Sequence, residues 1–143
     1  MKKIIAIVLV TFFLAACSEK THENYIFVGE SEHWKAEFVY DVSETWGEKN
    51  GKGNYSNEVQ YTLTLTYKGA VSELATIKKV SYGYETTTSS ASNTIELTEP
   101  LTKSEFKLSG SRENSARIFP HHVITAKVQW DDFEETIELN IEE

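Results

Sequence analysis

Apolar and polar side chains alternate with a period of two residues along several segments of the chain. Residues 59–67 (VQYTLTLTY) place an aromatic or aliphatic side chain at every second position, with Gln and Thr between them. The same period recurs over residues 34–40 and 124–130. Because successive side chains of a strand point to opposite faces, this pattern predicts β-strands that bury one face and expose the other.

Shorter segments of β-forming composition complete the predicted fold; they are residues 25–29, 77–84, 93–98, 105–109, 117–119 and 133–141. Asp131-Asp132 separates two strands by two residues, which is the spacing of a tight β-hairpin. No segment shows sustained helical spacing of apolar residues. We predict an all-β protein, an antiparallel β-sandwich of immunoglobulin-like architecture with about eight or nine strands. A sandwich is favoured over a closed barrel because threonine-rich faces opposite aromatic faces suit two sheets packed on one core.

Two polar stretches interrupt the alternation. Residues 18–24 (SEKTHEN) have no apolar periodicity and are interpreted as a linker that reaches at most roughly 25 Å. Residues 43–57 (SETWGEKNGKGNYSN) are rich in Gly and Asn and are interpreted as a long loop that carries Trp46 and Tyr55. Aromatic side chains in such loops are typical of partner-binding surfaces. The alternative is that Trp46 folds back over the edge of the sandwich and shields it.

The first seventeen residues have the anatomy of a secretory signal. Two lysines at positions 2 and 3 precede an apolar run, residues 4–14, that only Thr11 interrupts. A helix over that run would be about 16 Å long, roughly half the hydrocarbon thickness of a bilayer. A permanent transmembrane helix is therefore not expected here.

The end of this segment, Leu14-Ala15-Ala16-Cys17, resembles the lipobox of bacterial lipoproteins. Membership of that family implies that the Cys17 thiol carries a diacylglyceryl group and that the chain is cleaved between Ala16 and Cys17. N-acylation of the new terminus is a further option in the family. The alternative is an ordinary signal peptide in which Cys17 is incidental.

The implied organisation has three parts: a signal peptide at residues 1–16 that is removed, a lipidated cysteine with a short tether at residues 17–24, and a β-sandwich domain at residues 25–143. Losing Lys2 and Lys3 changes the formal net charge from −8 to −10. Anionic head groups repel such an acidic domain, so we expect two acyl chains, not a basic patch, to hold it at the membrane. The same charge argues against a nucleic-acid partner.

A second, shorter resemblance lies at the start of the predicted domain. Gly29-Glu30-Ser31-Glu32-His33-Trp34 is similar to an opening of small, mostly uncharacterised surface lipoproteins of Gram-positive bacteria. The resemblance implies a surface β domain and carries no activity with it. A turn followed by a core tryptophan explains the same residues on structural grounds alone.

No residue pattern in the chain points to catalysis or to a bound cofactor. The single cysteine is assigned to the lipid, and it is too few for a disulfide or a Cys-rich zinc site. The chain contains neither a Gly-x-Ser-x-Gly elbow nor a phosphate-binding glycine loop. Neighbouring His121 and His122 would point to opposite faces of a strand, and the acidic pairs at 131–132 and 134–135 suit a turn and an exposed strand. We therefore predict no catalytic residues, no metal site and no cofactor.

These observations favour a lipoprotein anchored to the extracytoplasmic face of the cell membrane, acting as a non-catalytic binding or accessory module of the envelope. Its membrane contact is the lipid on Cys17, and an envelope protein or a cell-wall component is a further candidate partner. Two alternatives stay open. The first is a structural or inhibitory protein that pairs through an edge strand, and the second is an enzyme with an unrecognised site.

Overall fold

The fold consists of eight strands and one short 3-10 helix in a computed structural model that describes residues 18–143. The strands are β1 (Glu19–Glu30), β2 (Trp34–Lys49), β3 (Lys52–Tyr67), β4 (Lys79–Glu85), β5 (Ser90–Glu96), β6 (Glu105–Glu113), β7 (Ile124–Trp130) and β8 (Phe133–Ile141). The 3-10 helix, Val71–Leu74, lies between β3 and β4. The prediction of an all-β antiparallel fold is confirmed.

The strands form one sheet in the order β5-β4-β7-β8-β1-β2-β3-β6, and every neighbouring pair is antiparallel. The sheet is nearly closed and has the shape of a barrel. Its two end strands, β5 and β6, lie close to each other: Arg112 of β6 donates to the carbonyl oxygen of Ser90 of β5 at 3.0 Å. The hydroxyl of Tyr82 on β4 donates to the carbonyl oxygen of Lys107 on β6 at 2.9 Å. Side-chain hydrogen bonds thus connect the two ends of the sheet.

Aromatic rings from opposite sides of the curved sheet meet in its interior. Phe38 of β2 is fully buried, and its ring centroid lies 4.7 Å from that of Tyr84 and 5.9 Å from that of Tyr61. Towards one end of the interior, the rings of Trp34 and Trp130 lie 5.6 Å apart in an edge-to-face arrangement. The inward positions of β2, β3 and β7 are those that the period-two pattern marked as apolar, so the predicted alternation of buried and exposed faces is confirmed.

The polar stretches at 18–24 and 43–57 were predicted as linker and loop, and both predictions are wrong. From Glu19 onward the first stretch belongs to β1, which pairs with β2 without interruption from Glu19 opposite Trp46. The second stretch contains the end of β2 and the start of β3, joined by Asn50-Gly51. Both turn residues have positive φ, 55° and 74°, as a tight two-residue hairpin turn requires. Apart from Trp46 and Tyr55, both faces of these strand ends carry polar side chains or glycine, so the alternation is lost.

We call this projecting part the extension and define it as residues 19–20 of β1 together with residues 45–56 of the β2–β3 hairpin. Its border with the core is marked by Glu44 and Asn57, which are opposite each other across β2 and β3 and are both 6% exposed. Beyond this pair, every residue of the hairpin is half-buried or exposed. The extension therefore consists of hydrogen-bonded sheet without a hydrophobic interior of its own.

Two further local predictions have opposite outcomes. The tight hairpin at Asp131-Asp132 is confirmed, since it joins β7 to β8 with Trp130 paired opposite Phe133. Residues 117–119 are not a strand; they lie in a loop that crosses the end of the barrel. Ile118 in that loop is buried, and its backbone N–H donates to the Tyr40 hydroxyl at 3.1 Å. The apolar side chain of Ile118 thus covers the core from a loop and does not belong to a strand.

The predictions for the first seventeen residues lie outside the described part of the chain. They are the signal peptide at 1–16, the cleavage site between Ala16 and Cys17, and the lipid on Cys17. Within residues 18–143, no helix is both long enough and apolar enough to cross a membrane.

Candidate functional site

Trp46 and Tyr55, the two residues predicted to contact a partner, lie opposite each other on the extension. They are a Cα pair of β2 and β3, and their ring centroids are 4.4 Å apart. The side chains are on the same face as the core positions but beyond the end of the core. Trp46 is 50% exposed and Tyr55 is 40% exposed. The structure thus brings the two residues together on a hydrogen-bonded β-hairpin, where the sequence suggested a loop.

The Tyr55 ring is held in place by the buried Asn57. The side-chain amide of Asn57 donates to the Tyr55 hydroxyl at 3.1 Å and to the Ser115 carbonyl oxygen at 2.8 Å. Its amide oxygen accepts a hydrogen bond from the Ser115 N–H at 3.0 Å. Because the amide group is satisfied on both sides, its burial carries no unpaired polar group. One residue therefore joins the aromatic pair to the loop that closes the barrel.

Arg117 from the same loop sits between two carboxylates at the base of the extension. Its guanidinium donates to Glu44 of β2 and to Glu23 of β1, and it lies over the ring of Phe119 at 4.7 Å. The hydroxyl of Tyr25 also donates to Glu23, at 2.6 Å, and this bond together with Arg117 lowers the pKa of the Glu23 carboxyl. Glu44 is nearly buried, so removing its cation would leave an uncompensated charge. The cluster seals the end of the barrel and fastens β1 and β2 to the loop.

The outer end of the extension carries two cations. Lys49 and Lys52 are a Cα pair immediately before and after the Asn50-Gly51 turn, and both are exposed. Glu48 is the single acidic residue between positions 47 and 53. In a chain with net charge −8, this tip is therefore one of the few places with a local positive balance.

Ser31, His33 and Glu135 form a second polar cluster at the opposite end of β2. The Ser31 hydroxyl donates to Glu135 Oε1 at 2.5 Å, the His33 backbone N–H donates to the same oxygen at 2.9 Å, and His33 Nδ1 lies 2.5 Å from Oε2. A serine nucleophile needs the imidazole as the acceptor of its proton, whereas here the hydroxyl is committed to the carboxylate. Burial raises the pKa of Glu135, but the three hydrogen bonds outweigh it and the pKa is lowered. The geometry is that of a clamp that holds the β1–β2 turn against β8.

His121 and His122 precede β7 in a turn, not in a strand as predicted. Their rings are 4.4 Å apart, and His122 Nδ1 accepts the backbone N–H of Phe119 at 3.2 Å. Among residues 18–143, no three His, Cys, Asp or Glu side chains are close enough to hold a metal ion together.

Three surface depressions of the described residues are open grooves on the faces of the sheet. One of about 530 Å³ lies over β1, β2 and β3 beside Gly29 and Lys35, and one of about 480 Å³ lies over β4, β5 and β7 beside Gly83. A smaller groove of about 270 Å³ follows the outer face of the extension and contains Lys20 and Glu58. All three are open to solvent and are lined mostly by polar and charged side chains of the strands.

Four residues that hold the parts of these clusters in position were not predicted from the sequence: Glu44, Asn57, Arg117 and Glu135. Their partners are distant in the chain: Arg117 and Glu44 are 73 residues apart, Asn57 and Ser115 are 58 apart, and Glu135 and His33 are 102 apart. Only the turn dipeptide Asn50-Gly51, a strong local signal for a hairpin, could have revealed the extension. Comparisons of the chain with family models, with curated proteins and with solved structures find no match.

Proposed function

We propose that the protein is a lipoprotein anchored on the extracytoplasmic face of the cell membrane and that its β domain is a non-catalytic binding or accessory module. The observation that carries this proposal is the position of the only cysteine. Cys17 follows Leu14-Ala15-Ala16 and a short apolar run with two lysines before it, which is the order that lipoprotein processing needs. Two acyl chains on one thiol-linked glycerol anchor a protein stably, whereas one chain does so marginally.

The start of the folded chain supports the proposal. β1 begins at Glu19, two residues after Cys17, so the expected cleavage site lies before all eight described strands. A signal peptide that is removed there leaves the sheet and its core complete, because β1 keeps all twelve of its residues. The anchor and the domain are then joined by a single residue, Ser18, and not by the seven-residue tether expected from the sequence.

A binding role without chemistry is supported by how the polar clusters are used. The Ser31, His33 and Glu135 group and the Arg117 group each hold two parts of the fold together through their hydrogen bonds. The exposed aromatic pair, in contrast, has area left over for a contact outside the domain. An envelope protein or a cell-wall component is the class of partner proposed, with the aromatic pair as one candidate contact.

Pairing through an edge strand is the second candidate function. β5 and β6 are the two ends of the sheet order, and their outer edges offer backbone groups to a partner strand apart from the carbonyl oxygens of Ser90 and Lys107, which accept from Arg112 and Tyr82. The two candidates respond differently to Trp46→Ala. A contact through the aromatic pair is lost in this variant, whereas pairing along β5 or β6 is retained, as cross-linking in intact envelopes would show.

The immunoglobulin-like sandwich stays a prediction and forms the finer part of this proposal. Support comes from the junction of β1 with β8, which has only two register pairs, Phe27 with Ile141 and Val28 with Asn140. Other neighbouring strands share at least six pairs. Such a short pairing between β1 and β8 is what we would expect where one sheet of a sandwich meets the other.

The anchor is tested by replacing Cys17 with serine in cells that make the full chain. We expect the wild-type protein to incorporate labelled fatty acid and to sediment with membranes. The Cys17→Ser variant should lose both properties and appear in the medium or as the uncleaved precursor. Ser18→Ala serves as the matched control and should behave as wild type. Membrane-bound, processed Cys17→Ser protein, or a wild-type protein without fatty acid, would refute the proposal.

A further inference from the structure

The beginning of the described chain and the tip of the β2–β3 hairpin lie side by side. β1 and β2 are paired over twelve consecutive positions, from Glu30 opposite Lys35 to Glu19 opposite Trp46. One position further out, a Cβ atom placed on Gly47 would lie 3.8 Å from the Cβ of Ser18. Ser18 therefore lies next to Gly47, and the residue before Ser18 is Cys17.

The hairpin continues past the point where β1 begins. From Trp46 to Asn50 the strand advances four residues, which is about 14 Å at 3.4 Å per residue. Cys17 is two residues before Glu19 and can lie at most about 7 Å from it. The turn at Asn50-Gly51 thus projects as far as the lipidated residue or further, in the same direction. A lipid attached at Cys17 brings the surface of its bilayer to the level of the tip.

The chemistry of the outer extension suits the head-group region of a bilayer. Trp46 and Tyr55 expose half or nearly half of their surface, and each combines a flat apolar ring with a polar group. Tryptophan and tyrosine concentrate at membrane interfaces for this reason. Lys49 and Lys52 stand at the outermost positions, where anionic head groups attract cations. Two lysines and one glutamate give the tip a local charge of +1, whereas the chain as a whole carries −8, so the tip is one of the places on the surface with the complementary charge.

We propose that the tip of the extension, Trp46 to Tyr55, is a membrane-contact element that enters the interface of the same bilayer that holds the lipid on Cys17. This inference rests on the proposed lipid anchor and adds a second point of attachment to it. Two attachment points, a lipid and a rigid hairpin, fix the orientation of the domain. The end of the barrel with Trp34 and Trp130 then faces away from the membrane, where partners can reach it.

The three tryptophans make the proposal testable by fluorescence. Trp34 is fully buried and Trp130 is 6% exposed, so Trp46 is the indole that added reagents or lipids can reach. The acylated full-length product would be reconstituted into vesicles of phosphatidylglycerol and phosphatidylcholine, with and without bromine on the acyl chains. We expect a blue shift of the Trp46 emission, quenching by brominated lipid, and protection from acrylamide, all absent in Trp46→Phe.

Charge variants sharpen the test. Lys49→Glu combined with Lys52→Glu should reduce quenching by brominated lipid in vesicles that contain phosphatidylglycerol and leave it unchanged in neutral vesicles. The matched control, Lys35→Glu combined with Lys103→Glu, changes the net charge equally but on exposed positions away from the tip, and should quench as wild type.

The outcomes separate the two proposals. If the protein is acylated and sediments with vesicles but Trp46 stays open to acrylamide and is not quenched by brominated lipid, the membrane-contact element is refuted and the anchor stands. Protection of Trp46 from acrylamide without quenching by brominated lipid would also refute the membrane-contact element, because protein and not lipid would then cover the aromatic pair. If no acylated product forms, the anchor itself is refuted and the present inference falls with it.

Discussion

The barrel and the extension are built from the same three strands, yet they are held together differently. In the barrel, β1, β2 and β3 bury one face against rings from the opposite side of the sheet, such as Phe38 against Tyr84. In the extension, the same strands continue in register with both faces wet. The first region is stabilised by burial of apolar area and the second by backbone hydrogen bonds and a few side-chain contacts.

At the border between the two regions, polar side chains occupy the inward positions of the strands, where the hydrophobic core ends. Glu44 and Asn57 occupy inward positions, but both are satisfied by groups of the loop at residues 114–119. Exposed two-stranded hairpins are marginal in water, and a third strand together with a polar anchor at the base compensates for the missing core. The stability of the extension therefore depends on the barrel, whereas the barrel is stabilised by a hydrophobic core of its own.

The largest expected effect is the loss of a core ring. Phe38→Ala removes a fully buried side chain and leaves a cavity between four aromatic neighbours, which should cost about 3–5 kcal/mol in the free energy of unfolding. The matched control is Phe133→Ala, since Phe133 is 63% exposed and should cost less than about 1 kcal/mol. Denaturant unfolding measures both, and equal costs would contradict the location of the core.

Alanine substitutions at two glycines, one in the barrel and one in the extension, test the difference between the two regions. A methyl group on Gly29, in the barrel, would collide with the backbone carbonyl oxygen of Glu138, so Gly29→Ala should destabilise by about 2 kcal/mol. A methyl group on Gly47, in the extension, meets only Ser18 at an ordinary distance, so Gly47→Ala should stabilise by roughly 0.5 kcal/mol through reduced backbone entropy of the unfolded chain. Thermal unfolding of the two variants checks the opposite signs, and a stabilising Gly29→Ala would show that β1 and β8 are further apart.

The Glu135 clamp should make part of the stability of the barrel dependent on pH. Its carboxyl has a lowered pKa in the folded state, so its contribution is complete above the unfolded value near 4.5 and is lost as the pH falls through the folded value. Glu135→Gln should cost about 1–2 kcal/mol at pH 7, as expected for hydrogen bonds to a charged group. The difference from wild type should shrink when unfolding is measured below pH 4.5.

The matched control for the clamp is Glu134→Gln. Glu134 is half exposed and pairs loosely with Lys127 at 3.8 Å, so this variant should change the stability by less than about 0.5 kcal/mol at either pH. If Glu135→Gln instead lowered the free energy of unfolding equally at neutral and at acidic pH, that result would show that the shape of the side chain matters and not its charge.

The smallest effect on stability is expected at the tip. Trp46→Ala removes a half-exposed ring that packs on Tyr55, and cross-strand aromatic pairs of this kind contribute less than about 1 kcal/mol. Trp130→Ala, at a 6% exposed position, should cost several times more. Comparable costs in urea unfolding would mean that the extension shares the core of the barrel.

Much of the barrel was predictable from the sequence because one face of each strand is buried. Residues 59–67 alternate without a break, and their inward side chains are those found in the core. The Asp131-Asp132 turn was identified from spacing alone, and Asp131 adopts a positive φ of 50° there. In both cases the information is local, since it depends on neighbours within a few positions of the chain.

The extension was missed because hydrogen bonding of a backbone leaves no mark on side-chain composition. Residues 19–24 are polar throughout, and nothing in them shows that they pair with β2. Trp46 and Tyr55 were singled out as aromatic residues in a polar setting, which remains accurate. Their mutual contact depended on the register of the hairpin, and the Asn50-Gly51 turn was the one local sign of it.

The amino-acid sequence alone was enough to predict an all-β protein and the positions of its main strands, and it is the whole basis of the proposal that Cys17 carries a lipid. These properties follow from short-range patterns of side chains. Three features could be read only from the three-dimensional structure: the strands form one nearly closed sheet, Arg117 and Asn57 lie across its end, and the aromatic pair lies beside Glu19, where β1 begins. Such arrangements join residues that are dozens of positions apart, and they arise only when burial and hydrogen bonding are satisfied for the whole sheet at once.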